Sequence, residues 1–112
     1  MKKVLVIDDE IDLCLMIRQF LEKKHYDVHI AHNLSDGMNS LKAVQPDALI
    51  LDNNLPDGMG WEAVAAIHEQ FPEMRITLLS AYNLADHFSA SLNASIRILE
   101  KPVSMHDIEQ LL

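Results

Sequence analysis

The chain has 112 residues, a mass of 12.7 kDa and a composition that is 49% hydrophobic and 23% charged. This length suits one domain with its own core, and the composition excludes intrinsic disorder and a fibrous protein. The formal net charge is −8, so the field of this segment repels phosphate backbones and we expect no direct binding to nucleic acid.

Cysteine and histidine usage narrows the kinds of site further. The single cysteine, Cys14, excludes an internal disulfide and a cysteine-rich zinc site and favours a reducing compartment, so we predict a cytoplasmic protein. No apolar run is long enough for a signal-peptide core or a membrane span, so we expect no membrane partner. The six histidines lack the spacing of a metal-binding helix, and we do not predict a metal site from them.

Short apolar β-rich runs alternate along the chain with longer amphipathic stretches. The first strand is predicted at Val4–Ile7. The helix after it has an inward face that excludes Cys14 and carries apolar residues at helical spacing, namely Leu13, Met16, Ile17, Phe20 and Leu21. A second strand is predicted at Val28–Ala31. Ser35 is the predicted N-cap of the second helix, which stops before Pro46 and carries Met38, Leu41 and Val44.

The second half of the chain continues the alternation. The third strand is predicted at Ala48–Leu51, before a turn-rich segment, Asp52–Gly60. The third helix follows and is ended by Pro72, and its inward residues are Trp61, Val64, Ile67 and Phe71. The fourth strand is predicted at Arg75–Leu79, a helix at Leu84–Leu92 and the fifth strand at Ile96–Leu99. Ser104 and Asp107 predict a capping box that opens a last helix with Met105, Ile108 and Leu112.

Five strands that each precede a helix predict an α/β fold. Strands that are apolar throughout indicate a parallel sheet covered on both faces, and right-handed crossovers lead to an open, doubly wound sheet. We therefore predict a (βα)5 flavodoxin-like fold with a five-stranded parallel sheet in the order 2-1-3-4-5. A closed eight-stranded barrel is excluded because it needs about 250 residues.

Polar residues gather at the predicted carboxyl ends of four strands, where ligands bind in sheets of this kind. Asp8 and Asp9 follow the first strand, Asp52 the third and Ser80 the fourth, and Lys101 lies just after the fifth. Three close carboxylates repel one another unless a cation lies among them, and hard oxygen ligands favour Mg²⁺. The ammonium of Lys101 and the hydroxyl of Ser80 can bind phosphoryl oxygens, so the set suits transfer of a phosphoryl group to a carboxylate.

Each of these pieces has a simpler interpretation when it is taken alone. Asp8–Asp9 is typical of a helix cap, Asp57–Gly58 of a turn and Lys101–Pro102 of a strand exit. Their occurrence together favours a functional site. A phosphohydrolase is disfavoured because Asp8–Asp12 lacks the spaced aspartate pair of its nucleophile motif. A flavin-binding protein is disfavoured because no glycine follows the first strand.

These residues lie in motifs that resemble the receiver domain of bacterial two-component response regulators. The resemblance rests on four segments, Val4–Glu10, Leu49–Gly60, Leu78–Tyr82 and Glu100–Pro102. It implies one response regulatory domain over residues 1–112 that takes a phosphoryl group from a sensor histidine kinase or a phosphotransfer protein. It also implies a signalling domain that catalyses only its own phosphorylation and dephosphorylation, and not an enzyme with other substrates.

The resemblance implies a role for each site residue. Asp52 is the implied phosphoacceptor, with Lys101 binding a phosphoryl oxygen and the hydroxyl of Ser80 turning toward it. Mg²⁺, or Mn²⁺ in its place, is the implied cofactor. Its implied ligands are Asp9 directly, Asp8 mainly through water, the acceptor Asp52, and the backbone carbonyl of Asn54.

Two features depart from the family pattern. Ile98 stands where the family has a Tyr or Phe that switches position, so the route by which the signal leaves the site stays open. The last helix stops at Leu112, short of the family norm, which is compatible with a fragment of a longer regulator. The resemblance allows an effector domain after this segment, or a homodimer through the face of the fourth helix, fifth strand and fifth helix. The alternative function is a degenerate receiver that acts only as a protein-interaction module.

Overall fold

The computed structural model of this protein describes residues 1–81 and 96–112, which contain seven β-strands and four α-helices. The strands are β1 (Lys3–Ile7), β2 (Asp27–Ala31), β3 (Ala48–Asp52), β4 (Asn54–Leu55), β5 (Gly58–Met59), β6 (Arg75–Ser80) and β7 (Ile96–Glu100). The helices are α1 (Ile11–Glu22), α2 (Leu34–Val44), α3 (Gly60–Gln70) and α4 (Met105–Gln110). The predicted helix at 84–92 lies outside the described residues, as does Tyr82. None of the helices described is long and apolar enough to cross a membrane.

Five of the strands form one parallel sheet in the order β2-β1-β3-β6-β7. The other two, β4 and β5, pair antiparallel in a short hairpin directly after β3. With this hairpin set apart, the order is the predicted 2-1-3-4-5, and the doubly wound flavodoxin-like fold is confirmed. The sheet grows in one direction from β1 to β2 and in the other from β1 to β3, and a crevice for ligands opens at the carboxyl ends where the direction changes.

The central strands bury side chains on both faces of the sheet, which is why their sequences are apolar throughout. Every residue from Val4 to Ile7 and from Ala48 to Asp52 is buried. One face packs against α2 and α3 and includes Leu5, Ile7, Leu49, Leu51, Leu41, Val64 and Ile67. The other face packs against α1 and α4 and includes Val4, Val6, Ile50, Ile17, Leu21 and Ile108. Residues of one strand therefore alternate between the two halves of the core.

The inward face of α1 differs from the predicted one. Cys14, Ile17 and Leu21 are buried, whereas Met16 is 55% exposed. The Cys14 thiol donates a hydrogen bond to the backbone carbonyl of Asp8 at 3.3 Å, so the small cysteine lies against the end of β1. The expectation that Cys14 lies off the apolar face is therefore wrong. A helix turned in this way leaves the longer methionine toward solvent.

The N-cap of α2 is Asn33 and not the predicted Ser35. Asn33 has an extended backbone, and its Oδ1 accepts a hydrogen bond from the amide of Asp36 at 2.7 Å. Ser35 is the second residue of the helix, and its amide donates to the carboxylate of Asp57, far away in the sequence. The predicted cap of the last helix is confirmed, because the hydroxyl of Ser104 accepts from the amide of Asp107 at 3.0 Å.

Candidate functional site

The polar residues singled out in the sequence meet at the carboxyl edge of the sheet. Asp52 is the last residue of β3 and Ser80 the last residue of β6. Asp8 directly follows β1, and Lys101 directly follows β7. These four strands are neighbours in the sheet, so their ends form one continuous rim. The amide of Lys101 donates to the carbonyl of Ser80 at 2.7 Å, which holds the end of β7 to the end of β6.

Lys101 is the centre of the charge network on this rim. Its Nζ lies 3.2 Å from Asp52 Oδ1, 3.3 Å from Asp8 Oδ2 and 3.0 Å from Glu10 Oε1. Burial lowers the pKa of Lys101, but the hydrogen bond to Glu10 and the charges of Asp8 and Asp52 outweigh it, so the pKa lies above its ordinary value. The lysine therefore stays charged and partly offsets the repulsion between the two aspartates.

The two aspartates that face Lys101 are buried, and their environments resist ionisation. Burial and the charge of Asp8 raise the pKa of Asp52 from 3.8 to about 6, against the opposing effects of Lys101 and the amide of Asn54. Burial also raises the pKa of Asp8, although the amide of Glu10 donates to its Oδ1 at 2.8 Å. Burial of these charges costs folding stability, which indicates a use for them other than support of the fold.

The acidic residues of the rim can hold a metal ion. Asp8, Asp9 and Asp52 each offer a carboxylate oxygen, and these atoms lie within 4.8 Å of one another. Asp9 is exposed, and Asp8 Oδ2 is a buried oxygen that lies 3.3 Å from Lys101 Nζ. A cavity of about 260 Å³ opens here and is lined by Asp9, Glu10, Asp52, Asn54, Ala81 and Lys101. A set of oxygen donors around such a space fits a hard cation that keeps some of its water.

The loop after Asp52 is fastened at its base. The backbone of Asn53 donates to the carbonyl of Leu79 and accepts from the amide of Gly60, both at 2.8 Å. The Asn53 side chain is buried, and its Oδ1 accepts from the amide of Trp61 in the first turn of α3 at 3.1 Å. Gly60 has to be a glycine, since a Cβ there would collide with the carbonyl oxygen of Asp52. These contacts keep Asp52 close to the start of α3.

Three further residues of the site were not predicted. Glu10 pairs with Lys101, and the ring Nδ1–H of His32 donates to the carbonyl of Asp8 at 2.9 Å. Asp57, expected only in a turn, binds two amides of α2. The acidic run from Asp8 to Glu10 was a signal for the first of these residues. No local pattern predicts the contacts of His32 and Asp57, because their partners are distant in sequence.

Comparison with known proteins agrees with the fold. The family model described as response regulator receiver domain matches residues 4–112. The photosynthetic apparatus regulatory protein RegA of Rhodobacter capsulatus is 30% identical over 112 residues. The match covers 99% of this chain and 61% of RegA, so this chain spans about three-fifths of the length of that relative.

Solved structures share the fold. The CheY-like response regulator receiver domain protein from Methanospirillum hungatei JF-1 has a TM-score of 0.88 and 27% identity, with 98% of this chain and 89% of that chain covered. The response regulator TrrA of Thermotoga maritima, solved in complex with Mg²⁺-BeF, has a TM-score of 0.80 and 24% identity over 100% of both chains. With a family model that matches almost its whole length, the chain belongs to the family of response regulator receiver domains.

Proposed function

We propose that this receiver domain accepts a phosphoryl group on the carboxylate of Asp52, in a reaction that needs Mg²⁺ or Mn²⁺. The observation that carries the proposal is the position of Asp52, whose Oδ1 lies 3.2 Å from Lys101 Nζ on an acidic rim. A module that only binds partners has no need of two buried carboxylates that repel each other. The complex of TrrA with Mg²⁺-BeF supports a similar use of the rim in this chain.

Four residues are proposed to hold the cation, namely Asp8, Asp9, Asp52 and Asn54 through its backbone carbonyl. Asp9 is exposed at the cavity and is assigned direct coordination. Asp8 is buried, with Oδ1 bound to the amide of Glu10 and Oδ2 close to Lys101, and is therefore assigned a role mainly through water. When bound, the cation supplies positive charge between the acceptor carboxylate and the incoming anion.

Asp52 is the proposed nucleophile. One of its carboxylate oxygens attacks phosphorus, the bond from phosphorus to the donor's histidine nitrogen breaks, and the electron pair of that bond stays with the leaving imidazole. The ammonium of Lys101, already beside Asp52, holds a phosphoryl oxygen and offsets the charge that develops on it. The hydroxyl of Ser80 donates to another phosphoryl oxygen, and the small exposed Ala81 leaves the approach open.

The proposed partner is a sensor histidine kinase or a phosphotransfer protein. This partner has to reach Asp52, and an apolar surface adjoins the rim, because Ile11, Leu15 and Met16 of α1 are exposed. A groove of about 540 Å³ runs beside this surface and shares Glu10 and Lys101 with the cavity at Asp52. We propose that the donor protein packs on this surface while its phosphohistidine enters the cavity.

We also propose that residues 1–112 work as a single receiver domain. The face that would contact an effector domain or a second copy includes the predicted fourth helix, which lies outside the described residues. That contact stays a prediction from the family resemblance.

Labelling with a small phosphodonor tests the proposed function. Wild-type protein is treated with acetyl phosphate and Mg²⁺, the product is trapped with borohydride, and mass spectrometry locates the modified residue. Modification at Asp52 that disappears with EDTA and in Asp52→Asn is expected. Modification that persists in Asp52→Asn would show that the acceptor is another residue. A wild-type protein that takes no label from acetyl phosphate or a kinase, yet binds a kinase, would favour the interaction-only alternative.

A further inference from the structure

Asp57 joins the loop after the phosphoacceptor to a helix on another part of the fold. It lies between β4 and β5, at the tip of the hairpin that follows Asp52. Its Oδ1 accepts a hydrogen bond from the amide of Leu34 at 2.7 Å, and its Oδ2 accepts from the amide of Ser35 at 2.9 Å. Both carboxylate oxygens are therefore engaged by the first two residues of α2.

These bonds complete the cap of α2. The first four amides of a helix have no partner within the helix, and the positive end of the helix dipole favours an anion there. Asn33 accepts from the amide of Asp36 through its side chain at 2.7 Å, and its carbonyl accepts the first bond of the helix itself, from the amide of Gly37 at 2.9 Å. Two of the three amides from Leu34 to Asp36 are thus capped by Asp57, which lies 23 and 22 residues further along the chain than its two partners.

Two more observations show that this contact is tight. A Cβ on Gly58 would lie 2.6 Å from Leu34 Cδ1, so the hairpin backbone packs directly on the first residue of α2. The amides of Leu34 and Ser35 hold the pKa of Asp57 below its usual value, so the carboxylate is ionised when it caps the helix. Asp57 itself is exposed, and its charge would be well hydrated without this contact.

The hairpin is therefore held at both ends by helix N-termini. At its base Asn53 accepts from the amide of Trp61 in α3, and at its tip Asp57 accepts from two amides of α2. Asn54, which lines the cavity with Asp52, lies between these two attachment points. A short segment fixed at one end only would sample more backbone conformations, and a carbonyl within it would lose its fixed direction.

We infer that Asp57 is a positioning residue, which sets the place of the Asn54 carbonyl and of the acceptor loop by fastening the hairpin to α2. This inference rests on the function proposed above. It assigns Asp57 a part in metal affinity and phosphorylation, although its carboxylate is bound to α2 and does not line the cavity. It also makes the start of α2 part of the support of the site.

The test compares Asp57→Ala and Asp57→Asn with a matched control, Asn33→Ala. Asn33 caps the same helix terminus, and its side chain bonds to Asp36 rather than to the hairpin. Mg²⁺ titration is followed by fluorescence of Trp61, the single tryptophan, and the rate of phosphorylation by acetyl phosphate is measured at saturating Mg²⁺. Thermal melts without metal report the stability of all variants.

Asp57→Ala is expected to weaken Mg²⁺ affinity about tenfold, the usual effect of removing a residue that orients a ligand. Asp57→Asn keeps one acceptor oxygen and should fall between Asp57→Ala and wild type. Asn33→Ala and Asp57→Ala should lower the melting temperature by similar amounts, because each removes a cap of α2. Asn33→Ala should leave Mg²⁺ affinity close to that of wild type.

Equal losses of Mg²⁺ affinity in Asn33→Ala and Asp57→Ala would overturn the inference, because the effect would then come from the stability of α2. Unchanged affinity in Asp57→Ala, with a wild type that binds Mg²⁺ and becomes phosphorylated, would overturn the inference and leave the proposed function intact. A wild type that neither binds Mg²⁺ nor accepts phosphate would overturn both.

Discussion

Asp52→Asn is expected to stabilise the metal-free protein at neutral pH while it abolishes phosphorylation. Asp52 is only 3% exposed, and it faces the buried carboxylate of Asp8 as well as Lys101. The pKa of Asp52 is raised to about 6 because burial and the charge of Asp8 outweigh the attraction of Lys101. Asparagine has nearly the same shape and carries no charge, so the variant removes the cost of ionising this position.

The size of the effect follows from the pKa. The pKa rises from 3.8 unfolded to about 6 folded, and two units correspond to about 3 kcal/mol at pH 7 as an upper limit. Between these two values the folded protein binds more protons than the unfolded chain, so the stability of the wild type falls as pH rises. The side-chain amide of the variant also needs hydrogen-bond partners in this buried position, which offsets part of the gain. We therefore expect the free energy of unfolding to rise by about 1–3 kcal/mol above pH 6.5, and by less as pH falls toward 4.

Urea unfolding with EDTA at pH 7.5 and pH 4.5 measures this difference. Asp9→Asn is the control, because Asp9 belongs to the same rim but is exposed, and removal of its charge should change stability less. Millimolar Mg²⁺ should stabilise the wild type and narrow its gap to Asp52→Asn, since a ligand bound only by the folded state adds stability. A gain of equal size at both pH values, or a loss at pH 7.5, would refute the reasoning.

Three other predictions concern residues around the rim. Glu10→Gln should speed phosphorylation by acetyl phosphate about two- to fivefold, because an exposed ion pair that holds Lys101 is lost; a slower reaction would contradict this. Burial raises the pKa of the Cys14 thiol to about 12, so a thiol reagent should modify it only as the protein unfolds, and rapid modification of folded protein would disprove that. Beryllofluoride should shift the amide resonances near Asp52 strongly and that of Ile98 only slightly, because the β-branched Ile98 packs against the core. Ile98→Tyr should enlarge the response in this strand. A large shift of the Ile98 amide in the wild type would contradict the prediction.

Much of the fold could be predicted because its pattern is local. The continuous apolar runs ending at Ile7, Leu51 and Leu79 mark strands that are buried on both faces, and the structure places strands there with ends within a residue or two of those predicted. The position of the site follows from the same runs, since parallel strands end at a common edge. This is why Asp52 and Lys101 could be assigned to one rim although 49 positions separate them.

The errors have physical causes that a local pattern does not contain. Helical spacing alone could not tell that α1 turns Cys14 inward and Met16 outward, because that choice depends on the space left beside β1. Ser35 and Asn33 are both good capping residues, and the sequence does not distinguish them. In the structure Asn33 is the cap, and the amide of Ser35 donates to Asp57 of the hairpin. Long-range partners such as this one become visible only when the elements are packed together.

The lysine that faces the buried acids is carried by the outermost strand of the sheet. Within residues 1–81 and 96–112, β7 pairs with β6 alone, and Ile96 is the one buried residue of its five. An edge strand with so little buried surface opens at a lower free-energy cost than a central strand. Its opening would move Lys101 away from Asp8 and Asp52, so the ion pairs of Lys101 with these residues help to keep the edge of the sheet closed. Lys101→Met, which removes these ion pairs, should therefore lower hydrogen-exchange protection along β7 while the central strands stay protected.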